Sequence, residues 1–193
     1  MIISPDNFLY ESVEVKTLDS AGTQYGEPTF KLEYVWTQDR VIRAWRDCNA
    51  LLLKEIEKHK YCLEQARRDN RNYKLPEFHI MVGAPGSGKS TLANKLESEN
   101  KSCGLVIFDA CMTNSRSRLE ITRMIRDHLP TANITYQVSK ASLELIMDRN
   151  QSRTDKKPID IGIIQANVNR GYLSDKKHFD FEKMRYGVNV VYF

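Results

Sequence analysis

The residues best suited to chemistry stand in one run, Gly83-Ala84-Pro85-Gly86-Ser87-Gly88-Lys89-Ser90, followed by Thr91. The run fits GxxxxGKS without a mismatch. Glycines at these positions let successive backbone N–H groups turn inward on phosphate oxygens. The lysine reaches the β- and γ-phosphates, and the neighbouring hydroxyl is a ligand for Mg²⁺. Gly83 to Thr91 are therefore expected to bind a nucleoside triphosphate, with Lys89 taking part in the chemistry and Ser90 as the metal ligand. Asp109 ends the apolar run "GLVIFD", where a strand-terminal carboxylate faces such a loop. Arg149 and Arg153 are four apart in "LELIMDRNQSR", so on a helix they share a face and can close over the phosphates as a lid. No guanine-selecting NKxD follows, since "NKLE" at Asn94 falls on the loop's own helix, which argues against a GTPase. The chemistry these groups suit is phosphoryl transfer, which needs charge neutralised over the phosphates and a carboxylate near the acceptor hydroxyl.

Such a loop needs a strand before it and a helix after it, whose positive N-terminal end meets the same anion. Phe78 to Val82 is an apolar run of strand length, and a helical pattern runs from about Lys89 to Asn100. "GLVIFD" (104–109), "ITYQV" (134–138) and "VNVVYF" (188–193) read as further buried strands. Helices are expected between them: one capped by Ser115 or Ser117 with Leu119, Ile121, Met124 and Ile125 inward, one at "SLELIMDRNQSR", and one at "IDIGIIQANVNRGY" despite Gly162. Strands alternating with helices argue an α/β fold with a mostly parallel central sheet.

Ahead of the loop, Met1 to Ser4 is a short apolar run closed by the turn signal "PDNF". "VEVKTL" and "TFKLEYVW" alternate around "DSAGTQYGEP" as a hairpin does. From Thr37, a plausible N-cap, the period turns helical, with Trp36 placed to staple onto Val41 and an apolar stripe Val41, Trp45, Cys48, Leu52, Ile56. Residues 71–77 read as a linker.

The bulk numbers fit a soluble single domain: 193 residues, 41% hydrophobic, 28% charged, net charge +4. Cys48, Cys62, Cys103 and Cys111 show neither CxxC pairing nor zinc-finger spacing, which predicts free thiols in a reducing compartment. No signal peptide and no long apolar span are read, so a cytoplasmic protein is expected. Lys156, Lys157, Arg170, Lys176, Lys177, Lys183 and Arg185 form a basic tail that either steers a polyanion or is plain solvated surface. Tyr172, Phe179, Phe181 and Tyr186 lie among them, to stack on bases or to pack inside.

From Phe78 onward the sequence resembles the P-loop kinases typified by phage polynucleotide 5′-hydroxyl kinases and zeta-toxin-like kinases. The matching pieces are "GAPGSGKST", "VIFDACMTNSRSR" and "LELIMDRNQSRTDKKPID". The resemblance implies a P-loop NTPase-type three-layer sandwich, ATP and Mg²⁺ as cofactors, and the 5′ end of RNA or DNA as partner, in the host cytoplasm if a phage encodes the chain. It also implies a strand ending in a general-base Asp between the loop helix and the "VIFD" strand. That interval is too short here, while "IISPDNFLY" followed by "EYVWTQDRVIRAW" looks like the missing element moved ahead of the loop. Asp6 is then the base, and Asp109 orients the acceptor or the metal shell. The whole chain, 1–193, reads as one kinase domain with rearranged segment order: acceptor side 1–70, nucleotide core 78–148, lid 149–160, C-terminal helix and strand 161–193. The hairpin is an apparent insertion. Two departures concern the acceptor: Leu9 stands where the family carries an Arg for the acceptor's phosphate, and "FDACMTN" lacks the usual Asp-x-Asn. A hydroxymethylated base, a nucleotide sugar or a small metabolite therefore stays open as acceptor, as does an ATP-binding regulator.

Overall fold

The computed structural model describes residues 1–15, 29–100, 104–153, 158–171 and 176–193. Strands β4 (Glu77–Val82), β5 (Leu105–Phe108), β6 (Asn133–Val138) and β7 (Asn189–Tyr192) join β1 (Ile2–Ile3) in a parallel sheet of order β1-β5-β4-β6-β7. β2 (Tyr10–Val15) and β3 (Thr29–Tyr34) form a separate antiparallel pair.

Because side chains alternate across a strand, the sheet has two apolar faces. Phe78, Ile80 and Val82 of β4, with Val106, Phe108, Ile134 and Tyr136, pack against α1 (Gln38–Arg68), α3 (Ser115–His128) and Phe179 of α6 (Lys176–Tyr186). Met81, Leu105 and Ile107 meet Ala93 of α2 (Lys89–Glu99) on the other face. A smaller core joins Ala84 to Ile146 of α4 (Leu143–Gln151) and to Ile164 and Val168 of α5 (Ile161–Gly171).

The N-terminal segment docks at the edge of the sheet beside β5. Ile2 and Ile3 register with Ile107 and Phe108, and the Asp109 N–H donates to the Ile3 carbonyl at 2.8 Å. The 3₁₀ turn Pro5–Phe8 follows at once, so Asp6 emerges at the same sheet edge as the glycine loop and Asp109. In open parallel sheets that edge, beyond the carboxyl ends of the strands, is where ligands bind.

Several expectations are corrected. The first hairpin strand begins earlier than the alternation suggests, at Tyr10, and the second begins at Thr29 as expected but ends at Tyr34; the expected loop 19–28 lies outside the described residues. Thr37 caps α1 by accepting from the Arg40 N–H, and Trp36 is largely exposed and lines the cleft together with Val41. α3 is capped by Asn114, whose side chain accepts from the Arg116 N–H. That leaves the Ser115 hydroxyl to donate to Glu182 Oε1 at 2.6 Å.

α6 was not anticipated at all. The inward stripe of this helix contains a carboxylate, Glu182, which breaks the apolar period. Its partner is Arg118, also completely buried, with Nη2 and Nε donating to Glu182 at 2.7 and 3.0 Å. The guanidinium lies 4.5 Å from the Phe179 ring centroid, and Nη1 donates to the carbonyls of Met112 and Thr113, both at 3.0 Å. The ion pair therefore holds the segment that follows Asp109. Cys48, Cys62 and Cys111 are free thiols; Cys103, Lys156, Lys157 and Tyr172 lie outside the described residues, as do the side chains of Arg170 and Lys176. No described helix is long and apolar enough to cross a membrane.

Candidate active site

The glycine loop connects β4 to α2. Gly86 and Gly88 hold φ of 82° and 91°, the left-handed region that only glycine enters at little cost. Gly83 is required for space: a Cβ there would stand 2.5 Å from Ser87 Oγ and 3.0 Å from Ser139 Cβ. Three hydrogen bonds set the loop. The Gly83 N–H donates to the Cys111 carbonyl at 3.0 Å, the Ser87 N–H to the Ala84 carbonyl at 3.2 Å, and the Ser139 hydroxyl to the Ser87 carbonyl at 3.0 Å. Gly88 caps α2, whose N-terminus faces the cleft.

Lys89 is buried, and its ammonium donates to the Ala84 carbonyl at 2.9 Å. A desolvated cation on a neutral carbonyl is poised for an anion. The Ser90 hydroxyl donates to Asp109 Oδ2 at 2.7 Å. Ser87 Oγ is buried without a hydrogen-bond partner among the described residues. These groups suit Mg²⁺ with phosphates: two hard oxygens, Ser90 Oγ and the Asp109 carboxylate, beside an N–H-lined loop with an unsatisfied hydroxyl. Mg²⁺ takes few protein ligands and completes its shell with water and substrate oxygens. Among the described residues no group of three or more His, Cys, Asp or Glu offers a cage built from protein alone.

α4 rests on the loop. A Cβ on Gly86 would lie 3.3 Å from the Ile146 carbonyl oxygen, and one on Gly88 would lie 3.4 Å from Arg149 Nη1. Arg149 thus sits over the last glycine. Arg153 follows the C-cap Ser152; its positive charge acts on the Tyr34 hydroxyl, which puts it on the Asp6 side. Asn150, between them, is buried. Its amide donates to the Ile159 carbonyl and accepts from the Ile159 N–H, each at 2.8 Å. This closed pairing fixes both ends of the segment carrying Arg153. Sequence reasoning passed over Asn150, although its place between two arginines and ahead of Pro158-Ile159-Asp160 was a usable signal.

Asp6 is half-buried, and the Tyr34 hydroxyl donates to its Oδ1 at 3.2 Å. Burial and then the Asp6 charge push the Tyr34 phenol well above its ordinary value, with Arg153 opposing. Burial, then Asp47 and Asp6, push the Cys48 thiol up to about 12, which locates Asp6 above α1.

One cleft of about 1700 Å³ collects Asp6, Lys89, Ser90, Asp109, Arg149 and Arg153. The volume exceeds what a single small ligand needs, leaving room for two. Its wall on the Asp6 side is Pro5, Leu9, Tyr10, Tyr34, Trp36 and Trp45. Leu9 is only 3% exposed. The described aromatics of the basic tail do not line this cleft: Phe179 is core, and Tyr186 engages Arg123, whose Nη2 donates to its hydroxyl at 2.9 Å.

No protein-family model matches the chain, and no curated protein matches it.

Proposed function

We propose that the protein is a P-loop phosphotransferase that moves the γ-phosphate of ATP to a hydroxyl of a nucleic acid, most simply a 5′-OH end. The observation that carries the reading is the arrival of Asp6, from the N-terminal strand, in the cleft that also holds Lys89, Ser90–Asp109 and both lid arginines.

In this mechanism the loop N–H groups and the α2 N-terminus hold the β- and γ-phosphates. Lys89 leaves the Ala84 carbonyl for the phosphate oxygens. Arg149 and Arg153 meet the charge spreading over the transferring group. Asp6 accepts the acceptor's proton as its oxygen bonds to the γ-phosphorus; the bond from that phosphorus to the bridging oxygen breaks, and ADP departs. When bound, Mg²⁺ neutralises the β- and γ-oxygens, and Ser90 and Asp109 are the residues that would hold it.

Leu9 favours a second reading of the acceptor. An apolar, buried side chain stands where the resembled kinases place an arginine on the acceptor's phosphate. A hydroxymethylated base, a nucleotide sugar or a small metabolite suits that pocket, and an ATP-binding regulator would need no acceptor. The deciding experiment incubates the protein with Mg²⁺, γ-labelled ATP and a panel of 5′-OH RNA, 5′-OH DNA, duplex DNA containing hydroxymethyluracil, and nucleotide sugars. Label on a 5′ end supports the first reading and label on another acceptor the second. ATP binding without transfer to any of them counts against the kinase.

A further inference from the structure

The β2–β3 hairpin takes no part in the phosphate chemistry, yet its Tyr10 and Tyr34 line the cleft on the Asp6 side. In an antiparallel pair directly opposed residues share a face, and successive pairs alternate between faces. The register is Tyr10↔Tyr34, Glu11↔Glu33, Ser12↔Leu32, Val13↔Lys31. Glu11, Glu33 and Lys31 therefore share one face, where Lys31 pairs with Glu33 at 2.6 Å and Glu11 with Arg40 of α1. Tyr10, Ser12, Leu32 and Tyr34 share the other, and its two tyrosines line the cleft.

That face starts at the reacting centre. Tyr34 is held by its hydroxyl on Asp6, and Tyr10 meets its ring edge-on, with centroids 5.5 Å apart at 73°. Tyr10 is 39% exposed and Trp36, two residues beyond the end of β3, is 59% exposed; both line the cleft. Farther out, Leu32 (72%) and Phe30 (66%) continue the Tyr34 side of β3. From Tyr34 to Phe30 the strand advances roughly 13 Å, the reach of a few stacked bases.

We propose that this face is the platform for the acceptor's bases: the base next to the reacting hydroxyl stacks on Tyr10 and Trp36, and the following unpaired base runs out over Leu32 and Phe30. A sugar or polyhydroxy metabolite would need hydrogen-bonding partners along its length, whereas this strip, Ser12 apart, offers ring and aliphatic surface, and its Tyr34 hydroxyl is engaged with Asp6. A π-face is available on an unpaired base and hidden inside a duplex, so the acceptor is single-stranded at its end. The inference rests on the cleft being a phosphoryl-transfer site, and it replaces recognition through a phosphate with recognition through a base.

Two 5′-OH single-stranded oligonucleotides, identical except that one carries an abasic 5′-terminal nucleotide, test it with the parent protein, Tyr10→Ala and Trp36→Ala. Acceptor KM in transfer and the dissociation constant of the labelled oligonucleotide are both measured. The parent should lose about tenfold or more on the abasic strand at unchanged KM for ATP. Each variant should lose about as much on the normal strand and far less than the parent on changing to the abasic one. Equal use of both strands by the parent, or a base preference that survives undiminished in both variants, overturns the proposal, as does absence of binding to either strand. Base-dependent binding with no transfer would uphold the platform and sink the kinase reading instead.

Discussion

The Tyr34 hydroxyl donates to Asp6 Oδ1 at 3.2 Å, joining the end of β3 to the turn that leads into β2. The bond fixes the rotamer of the carboxylate proposed as base. Removing the hydroxyl with Tyr34→Phe should lower kcat about tenfold, the size of one charge-assisted hydrogen bond, with KM for ATP unchanged. Tyr34→Ala should add a rise in acceptor KM, because the ring leaves as well. Steady-state kinetics on both substrates separates these effects; equal changes in both KM values would assign Tyr34 a purely structural role.

The two arginines proposed as a lid make a second prediction. Arg149→Ala should reduce kcat by about 10²-fold or more, the usual loss when a cation on a transferring phosphoryl group is removed. Asn150→Ala touches neither phosphate nor acceptor, yet it frees the Ile159 backbone that holds the Arg153 segment. It should cut transfer about tenfold, while Asn150→Asp, which still accepts from the Ile159 N–H, should recover part of the activity.

Arg118 and Glu182 predict a stability effect. Glu182→Leu leaves a guanidinium buried without its counter-charge and should cost about 3–5 kcal/mol. Arg118→Met combined with Glu182→Leu should recover much of that loss, since an apolar pair avoids desolvating two charges. Denaturant unfolding of the two variants gives the comparison.

His79, on β4 just before the glycine loop, is buried; burial holds its pKa below the ordinary value, with Glu77 partly opposing. The Gln137 amide lies 3.2 Å from its Nδ1. The folded state therefore binds fewer protons than the unfolded chain. The resulting stability is fully present above the unfolded pKa of about 6.5 and is lost as pH falls from there toward the folded value. His59 is lowered in the same direction, again by burial first. Thermal midpoints should drop between pH 7.5 and 5.5, and His79→Gln should show a smaller drop than the parent without abolishing it.

Much of this was legible in the sequence because it depends on local signals. The glycine spacing marked the loop, the apolar runs marked β4, β5, β6 and β7, and the stripe Cys48, Leu52, Ile56 marked the buried face of α1. Asp6 lies in the cleft because two apolar residues, Ile2 and Ile3, suffice to add an edge strand beside β5. What escaped were groups whose meaning lies in a distant partner. Glu182 and Arg118 read as surface charges until each is placed against the other, and without them α6 had no apolar period to follow. Asn150 and Tyr34 carry no periodic signal either. Their roles come from the Ile159 backbone and from Asp6, contacts that only the folded chain creates.

The most direct test of the central claim is single-turnover transfer from γ-labelled ATP to a 5′-OH single strand by the parent, Lys89→Ala and Asp6→Asn, with ATP affinity measured for each. The account predicts transfer by the parent and loss of at least about 10²-fold in both variants, with ATP affinity retained in Asp6→Asn and weakened in Lys89→Ala. Transfer by Asp6→Asn at the parent's rate would contradict it, because the N-terminal strand would then bring no base to the cleft.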